Sequence, residues 1–327
     1  MLQVHEIRVK LVDNTGATNV TGCLKPVYRL AEKAPAAGAM ILVDAAQLAP
    51  HRPVDMHPDD APDHLDFVVL SAHKMYAPDG TGALIGPTSF FSEGVPDMVG
   101  GGTVDLVTVD DVRWAAPPDR DEAGSPNVVG AVALAQAILS LQEIGMEALV
   151  QHEAELTAHT LGRLQEIDGV ELYGLTDPGR AHERVGVIPF NVRGADHYKV
   201  AAVLSFEGGI GVRNGCFCAH PYVMRLLQVS GDDALNHRRD ILQGSRAGLP
   251  GLVRISFGCY NTLEEVDHLV SMVDRIAAGD VEGDYEQDQL SGYYWPRGFE
   301  PDHGEYFALC EGMSARPRIS LMPRCGF

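Results

Sequence analysis

Two short apolar runs, each followed by a polar residue, most constrain the fold of this chain. Residues 40–43 (MILV) end at Asp44, and residues 68–70 (VVL) are followed four positions later by Lys74. Neither run alternates apolar with polar residues, which is typical of strands whose two faces are covered by helices. The pattern therefore favours an α/β fold, with a mainly parallel sheet that carries polar side chains at the carboxyl ends of its strands.

The rest of the chain divides into further segments. Residues 101–126 look irregular, a long helix is predicted over 128–164 with a break near Gly145, and residues 185–192 and 251–261 resemble strands. Residues 262–279 form an amphipathic pattern in which Thr262 and Glu265 fit a helix capping box. We predict a partial large domain (1–126), a connecting helix with a smaller α+β C-terminal domain (127–280), and an irregular C-terminal extension (281–327).

Composition narrows the classes of function. The 327 residues are 45% hydrophobic, so a sizeable core is available, and the formal net charge of −20 argues against nucleic-acid partners and a polybasic membrane patch. We find no apolar run that approaches the ~18 residues of a membrane span. The six cysteines form no dense disulfide pattern, which favours a reducing, cytoplasmic location.

Asp44 and Lys74 are the residue types that pyridoxal phosphate chemistry requires. A desolvated lysine amine can bond covalently to an aldehyde, and a carboxylate beside a pyridine nitrogen keeps the ring protonated. The residues alone leave a simpler alternative open, in which Asp44 caps a turn and Lys74 is solvated.

Several motifs extend this pattern in a fixed order. They are NVTG (19–22), VDAAQ (43–47), SAHK (71–74), AGSPN (123–127), VRNGCFCAHP (212–221) and VRISFGCYNTLEEVD (253–267). Together they resemble the class V branch of the fold-type I pyridoxal-phosphate enzymes, which includes cysteine desulfurases and selenocysteine lyases of the SufS type. The resemblance covers residues from about 12 to 278.

The resemblance implies a set of cofactor-binding residues. Lys74 would bind the cofactor covalently and move protons on the substrate carbon, and Asp44 would pair with the pyridine nitrogen. Gln47 would hydrogen-bond the phenolic oxygen of the ring. The remaining implied positions are Asn19 near that oxygen or the substrate carboxylate, Ser71 and His73 at the phosphate, and Ser125 at the phosphate of a partner subunit.

The resemblance also implies substrate-binding residues. Arg254 would bind the α-carboxylate of an amino acid through a bidentate pair, with assistance from Arg213. The ordinary alternative for both residues is a surface arginine with no such role.

Cys218 aligns with the cysteine that forms a persulfide in this family. A thiolate is the reactive form, and Arg213 or His220 is a neighbour that could stabilise it. The family usually has histidines before this cysteine, whereas Cys216 and Phe217 stand there, so that GCFC also resembles molybdenum-cofactor sulfurases. Two loop cysteines without a role remain an alternative, and a metal site lacks a second ligand pair with zinc spacing.

The predicted function is therefore that of a pyridoxal-phosphate enzyme resembling cysteine desulfurases, a C–S lyase that forms a persulfide on Cys218. The alternatives are an aminotransferase, epimerase or lyase that does not use Cys218, and a catalytically impaired paralogue. The resemblance further implies an amino-acid substrate such as L-cysteine, a homodimer and a sulfur-acceptor protein. Because the matching motifs begin almost at Met1, we expect an N-terminally truncated chain with weak cofactor binding or low stability.

Overall fold

The computed structural model describes residues 10–300, with side chains from residue 15 onward. The strands are β1 (Lys10–Thr15), β2 (Ala39–Asp44), β3 (Phe67–Ser71), β4 (Gly82–Ile85), β5 (Val104–Val107), β6 (Val112–Trp114), β7 (Val170–Leu172), β8 (Val187–Val192), β9 (Arg213–Gly215), β10 (Leu252–Ser256), β11 (Tyr285–Gln287) and β12 (Tyr294–Pro296). The α-helices are α1 (Val27–Ala31), α2 (Thr88–Phe91), α3 (Val128–Ile144), α4 (Met146–Gln165), α5 (His197–Phe206), α6 (His220–Leu226), α7 (Gly231–Leu242) and α8 (Leu263–Ala278).

The first sheet has the order β1-β2-β3-β4, with β1, β2 and β3 parallel and β4 antiparallel to β3. Thr15 pairs with Asp44, and Asp44 pairs with Val69 on the next strand. The carboxyl ends of three parallel strands therefore meet at one edge. The predicted mainly parallel sheet is confirmed.

The faces of this sheet are covered unequally. Ile41 and Val43 of β2 are fully buried and pack with Leu65, Val68 and Val187. Leu42, which points to the opposite face, is only half-buried. Within the described residues, the face that carries Leu42 is thus less covered than its non-alternating apolar run predicts.

The long helix predicted over 128–164 is two helices. Gly145, with φ of 95°, separates α3 from α4 because few residues other than glycine adopt this conformation. Among residues 10–300, no single helix is both long and apolar enough to cross a bilayer. The two helices reach that length and composition only as a pair, and the chain bends by 77° between them.

The second sheet has the order β7-β8-β10-β9 and is antiparallel throughout. Helices α4, α5 and α8 contribute to its core, which includes Leu161, Phe190, Leu204 and Val273. Helix α8 begins with the predicted capping box. The Thr262 hydroxyl accepts from Glu265 N at 3.2 Å, and Glu265 Oε2 accepts from Thr262 N at 2.9 Å.

Two expectations about secondary structure are wrong, and two helices lie where the sequence analysis made no prediction. Residues 101–126 are not wholly irregular, because β5 and β6 form a hairpin whose turn is closed by a 2.8 Å bond from Thr108 N to Asp111 O. The extension from 281 contains the hairpin β11–β12, which packs its Trp295 near Phe206. Helices α6 and α7 occupy a segment in which the sequence analysis predicted none.

The two separate sheets lie on either side of residue 127, where the large domain was predicted to end. The division into 1–126, 127–280 and 281–327 stays a prediction. Its last segment lies partly outside the described residues, as do Cys310 and Cys325.

Candidate functional site

A cleft of about 810 Å³ opens where the carboxyl edge of the first sheet faces the second sheet. It gathers the predicted site residues from both sheets, with the exception of Ser125. Those that line it are Asn19, Asp44, Gln47, Ser71, His73, Lys74, Arg213, Cys218 and Arg254. The last residues of β2 and β3, and the loops that follow β1, β2 and β3, supply the first six, because these strands end at the same edge.

Lys74 ends a single 3₁₀ turn that follows β3. This turn is fixed by a bond of 3.0 Å from Ala72 N to Thr81 O, so the backbone of the lysine is held close to the sheet. The Lys74 side chain is half-buried, and burial lowers the pKa of its amine. The charge of Asp44 raises the pKa, and that of Arg254 lowers it again. The net lowering increases the share of neutral amine, which is the nucleophilic form.

Asp44 both caps a turn and faces the cleft. Its Oδ1 accepts a hydrogen bond from Ala46 N at 3.0 Å, as the simpler alternative for this residue predicts. It also lines the cleft with Lys74, and its charge acts on the Lys74 amine. The turn therefore orients the carboxylate without removing it from the site.

A buried network that the sequence analysis missed lies behind Gln47. Gln47 Nε2 is 3.5 Å from His51 Nε2, and His51 Nδ1 donates to Glu153 Oε2. Arg52 Nη1 donates to the other oxygen of Glu153 at 2.6 Å. Burial by itself would raise the pKa of Glu153, but the hydrogen bonds and charges of His51 and Arg52 lower it overall. The i, i+4 spacing of Gln47 and His51 was a usable signal, whereas Glu153 lies 102 residues from His51 along the chain.

Arg254 is a buried cation with unused hydrogen-bonding capacity. It lies opposite Arg213 in the pairing of β10 with β9, and its Nη1 donates to Asn19 O at 2.6 Å and Asn19 Oδ1 at 3.1 Å. Burial, with a smaller effect from Arg213, lowers the pKa of Arg254 to about 10, and Cys218 opposes this. Arg254 Nε is buried and has no hydrogen-bond partner. Arg254 also lines the cleft, so its guanidinium is placed where it could bind a carboxylate.

Cys218 lies in a tight turn that a hydrogen bond of 2.8 Å from Ala219 N to Cys216 O closes. The two central residues, Phe217 and Cys218, have φ of 50° and 62°, a conformation that favours glycine. Phe217 is buried beneath the Arg254 guanidinium, which lies 4.9 Å from its ring centre, and Asn19 Nδ2 donates to its carbonyl at 2.6 Å. These contacts hold the strained turn and leave the Cys218 thiol exposed at the cleft.

Tyr76 is a further residue that the sequence analysis missed. It lies two positions after Lys74, has φ of 64°, and accepts a hydrogen bond of 2.9 Å from Cys259 N at its hydroxyl. It therefore joins the lysine loop to the segment that follows β10. The positive φ gives no signal in the sequence because the residue is not glycine.

Two residues named from the sequence lie outside the cleft. Ser125 is exposed and does not line it, so its place at the phosphate of a partner subunit stays a prediction. His220 is exposed at the start of α6 and does not line the cleft either. Of the two residues named as possible partners of the Cys218 thiolate, Arg213 is the one that lines the cleft.

Comparison with known proteins decides the family. The sequence pattern described as aminotransferase class V matches residues 2–269. The chain belongs to the class V aminotransferase family. Pyridoxal phosphate is the cofactor of this family.

Individual class V relatives share its sequence. The chain is 37% identical over 265 residues to a probable cysteine desulfurase of Halobacterium salinarum, covering 81% of this chain and 57% of that protein. It is 36% identical over 274 residues to probable cysteine desulfurase 2 of Mycobacterium leprae, covering 84% and 58%. The chain therefore spans less than two thirds of the length of these relatives.

Solved class V structures share its fold. The apo cysteine desulfurase of Thermococcus onnurineus NA1 superposes with a TM-score of 0.69 at 34% identity, covering 83% of this chain and 60% of that one. The cysteine desulfurase CsdA of Escherichia coli, in an S-sulfonic acid form, gives 0.67 at 28% identity and covers 84% and 60%. The predicted fold type I is confirmed, and so is the prediction that the chain corresponds to part of such an enzyme.

Proposed function

We propose that this chain provides the core of a pyridoxal-phosphate-dependent cysteine desulfurase that acts on L-cysteine. The observation that carries the proposal is the cleft itself, which brings together an amine, a carboxylate, a buried guanidinium and a thiol. These are Lys74, Asp44, Arg254 and Cys218. The identities with cysteine desulfurases support this choice within the class V family.

The residues present fit the cofactor. A cleft of about 810 Å³ lies within the range of small-molecule sites. Lys74 would hold the aldehyde end of the cofactor, Asp44 the pyridine nitrogen, and Ser71 with His73 the phosphate. Bound pyridoxal phosphate supplies an electron sink that stabilises negative charge on the α-carbon of the substrate.

Each of the remaining residues has a task that its surroundings support. Arg254 binds the substrate carboxylate, because its guanidinium lines the cleft and its Nη1 is already oriented by Asn19. Lys74 moves the α-proton, since burial keeps more of its amine neutral. Cys218 accepts the sulfur of the substrate on its exposed thiol and becomes a persulfide, while the substrate leaves as alanine.

The test is the formation of alanine and sulfide from L-cysteine by the protein with pyridoxal phosphate and an external thiol. We expect Cys218→Ser to lose sulfide release while it still binds the cofactor. A Cys218→Ser variant that releases sulfide and alanine at the wild-type rate would instead identify a class V enzyme that does not use this thiol.

Assembly into a homodimer is part of the proposal. Residues Val128, Val129 and Val132 of α3 are more than 60% exposed and adjoin the exposed Ser125. An apolar surface of this kind, beside a residue predicted to reach the cofactor of a partner subunit, supports a subunit contact there. A sulfur-acceptor protein and a cytoplasmic location stay predictions.

A further inference from the structure

We propose that Cys216 is a resolving thiol, which displaces the outer sulfur from the Cys218 persulfide as sulfide and leaves a Cys216–Cys218 disulfide. The proposal rests on the proposed desulfurase function, because that function forms the persulfide. It adds an activity to the site: release of sulfide without a sulfur-acceptor protein, followed by reduction of the disulfide by an external dithiol.

The backbone turn brings the two cysteines within reach of each other. Ala219 N bonds to Cys216 O at 2.8 Å, so Cys216 is the first residue of the turn and Cys218 the third. Residues two apart have Cα atoms at most about 7 Å from each other in an extended chain, and closer in a turn. The turn therefore brings the two Cα atoms toward the range of roughly 4.4–6.8 Å over which disulfides form.

The contacts around the turn fix its backbone and leave the Cys216 side chain weakly held. Phe217 is anchored by the Arg254 guanidinium and the Asn19 amide, which preserve the left-handed conformation at the centre of the turn. The Cys216 thiol makes only a weak bond, of 3.5 Å to Pro250 O. Disulfide formation would therefore replace only this weak bond of the Cys216 thiol.

The two thiols lie in different surroundings. Cys218 is exposed and faces the cleft, where it can meet the substrate. Cys216 is half-buried behind the turn near Val20 and Leu252, and burial raises the pKa of its thiol. Because only Cys218 faces the cleft, it meets the substrate first, and Cys216 acts second from behind the turn.

The chemistry balances without an added oxidant. The Cys216 thiolate attacks Sγ of Cys218, forming the Sγ–Sγ bond and breaking the bond to the outer sulfur, which leaves with the electron pair as hydrosulfide. The outer sulfur is reduced from the persulfide to the sulfide level and the Cys216 sulfur is oxidised from the thiol to the disulfide level, while Cys218 Sγ is unchanged. The proton of Cys216 passes to solvent, and an external dithiol later reduces the disulfide.

A single-turnover experiment tests the step. The protein with pyridoxal phosphate is mixed, without added thiol, with less L-cysteine than enzyme, then quenched in acid and examined by intact mass. We expect wild type to release one sulfide per alanine and to lose the mass of two hydrogens. Cys216→Ser should form the same alanine, retain one extra sulfur atom on Cys218 and release little sulfide. Cys259→Ser is the matched control and should behave as wild type.

Retention of the extra sulfur by wild type, at the level seen in Cys216→Ser, would overturn the proposal. The absence of alanine from both proteins would instead overturn the desulfurase function. A second measurement separates these failures because it needs neither cofactor nor substrate.

In that measurement the protein without cofactor is treated with glutathione disulfide and digested with trypsin. Cleavage at Arg213 and Arg225 gives a peptide that contains Cys216 and Cys218 and no other cysteine. We expect wild type to give this peptide with an internal disulfide and free glutathione, and Cys216→Ser to keep glutathione on Cys218. A wild-type peptide that keeps glutathione to the same extent would contradict the resolving role of Cys216.

Discussion

The carboxyl edge of the first sheet and the Cys216–Ala219 turn face each other across one cleft but are held in place differently. At the sheet edge, Asp44 ends β2 and the lysine loop follows β3, and the ladder sets the register of both strands. In the turn, two non-glycine residues adopt a left-handed conformation that side-chain contacts stabilise. The comparison teaches that the cofactor half of the site depends on backbone pairing, while the thiol half depends on a few contacts around Phe217.

The largest expected effect is on catalysis, and it follows from replacing the lysine at the sheet edge. Lys74→Ala should lower alanine formation by about 10²- to 10⁴-fold, because it removes the group proposed to move the α-proton. Lys33→Ala, at an exposed position, is the control and should keep wild-type activity. The measurement is the rate of alanine formation under saturating pyridoxal phosphate. A Lys74→Ala variant with wild-type activity would contradict the role that we propose for the sheet edge.

The next largest effect should be on stability, and it concerns the buried network of His51, Arg52 and Glu153. Glu153→Gln leaves His51 and Arg52 buried without their carboxylate, so we expect a loss of about 3 kcal/mol in the free energy of unfolding. Glu155→Gln, exposed on the same helix, should change it little. Denaturant unfolding at neutral pH checks the difference between the two variants.

The stability that Glu153 contributes should also depend on pH. The pKa of Glu153 is lowered in the folded protein, so its stabilising contribution is present above the ordinary value of about 4.5 and is lost as the pH falls through the folded value. The gap in stability between wild type and Glu153→Gln should therefore narrow in acid. A gap that stays constant would show that the pKa of Glu153 is not lowered in the folded protein, against this account.

Arg254, on β10, contacts both halves through Asn19 and Phe217, so its loss should affect both. Arg254→Gln removes a charged hydrogen-bond donor worth about 1.5–3 kcal/mol, so KM for L-cysteine should rise roughly 10- to 150-fold. It also removes the cation above Phe217, which should lower persulfide formation on Cys218. Arg213→Gln, at an exposed position, should raise KM less.

The smallest effect should be confined to the turn. Phe217→Leu keeps an apolar side chain but removes the interaction with Arg254, which is worth about 0.5–2 kcal/mol. We expect persulfide formation to slow by up to about 30-fold, whereas the affinity for pyridoxal phosphate should stay at the wild-type value. Equal losses in both quantities would mean that the two halves of the site are not held independently.

The same difference explains how far the sequence predicts the structure. Asp44 and Lys74 were predicted because strand ends in a parallel sheet share an edge, and the capping box at Thr262 was predicted because it is local. The contact between His51 and Glu153 joins residues 102 positions apart and leaves no local pattern. The left-handed Phe217 was missed because its conformation comes from tertiary contacts with Arg254 and Asn19.

The most direct test of the central claim is to find which amine takes the cofactor. The protein is incubated with pyridoxal phosphate, reduced with borohydride and mapped by peptide mass. The account predicts one labelled peptide carrying the cofactor on Lys74, and no specific label in Lys74→Ala. Labelling that is spread over exposed lysines such as Lys25 and Lys33, and unchanged in Lys74→Ala, would contradict it.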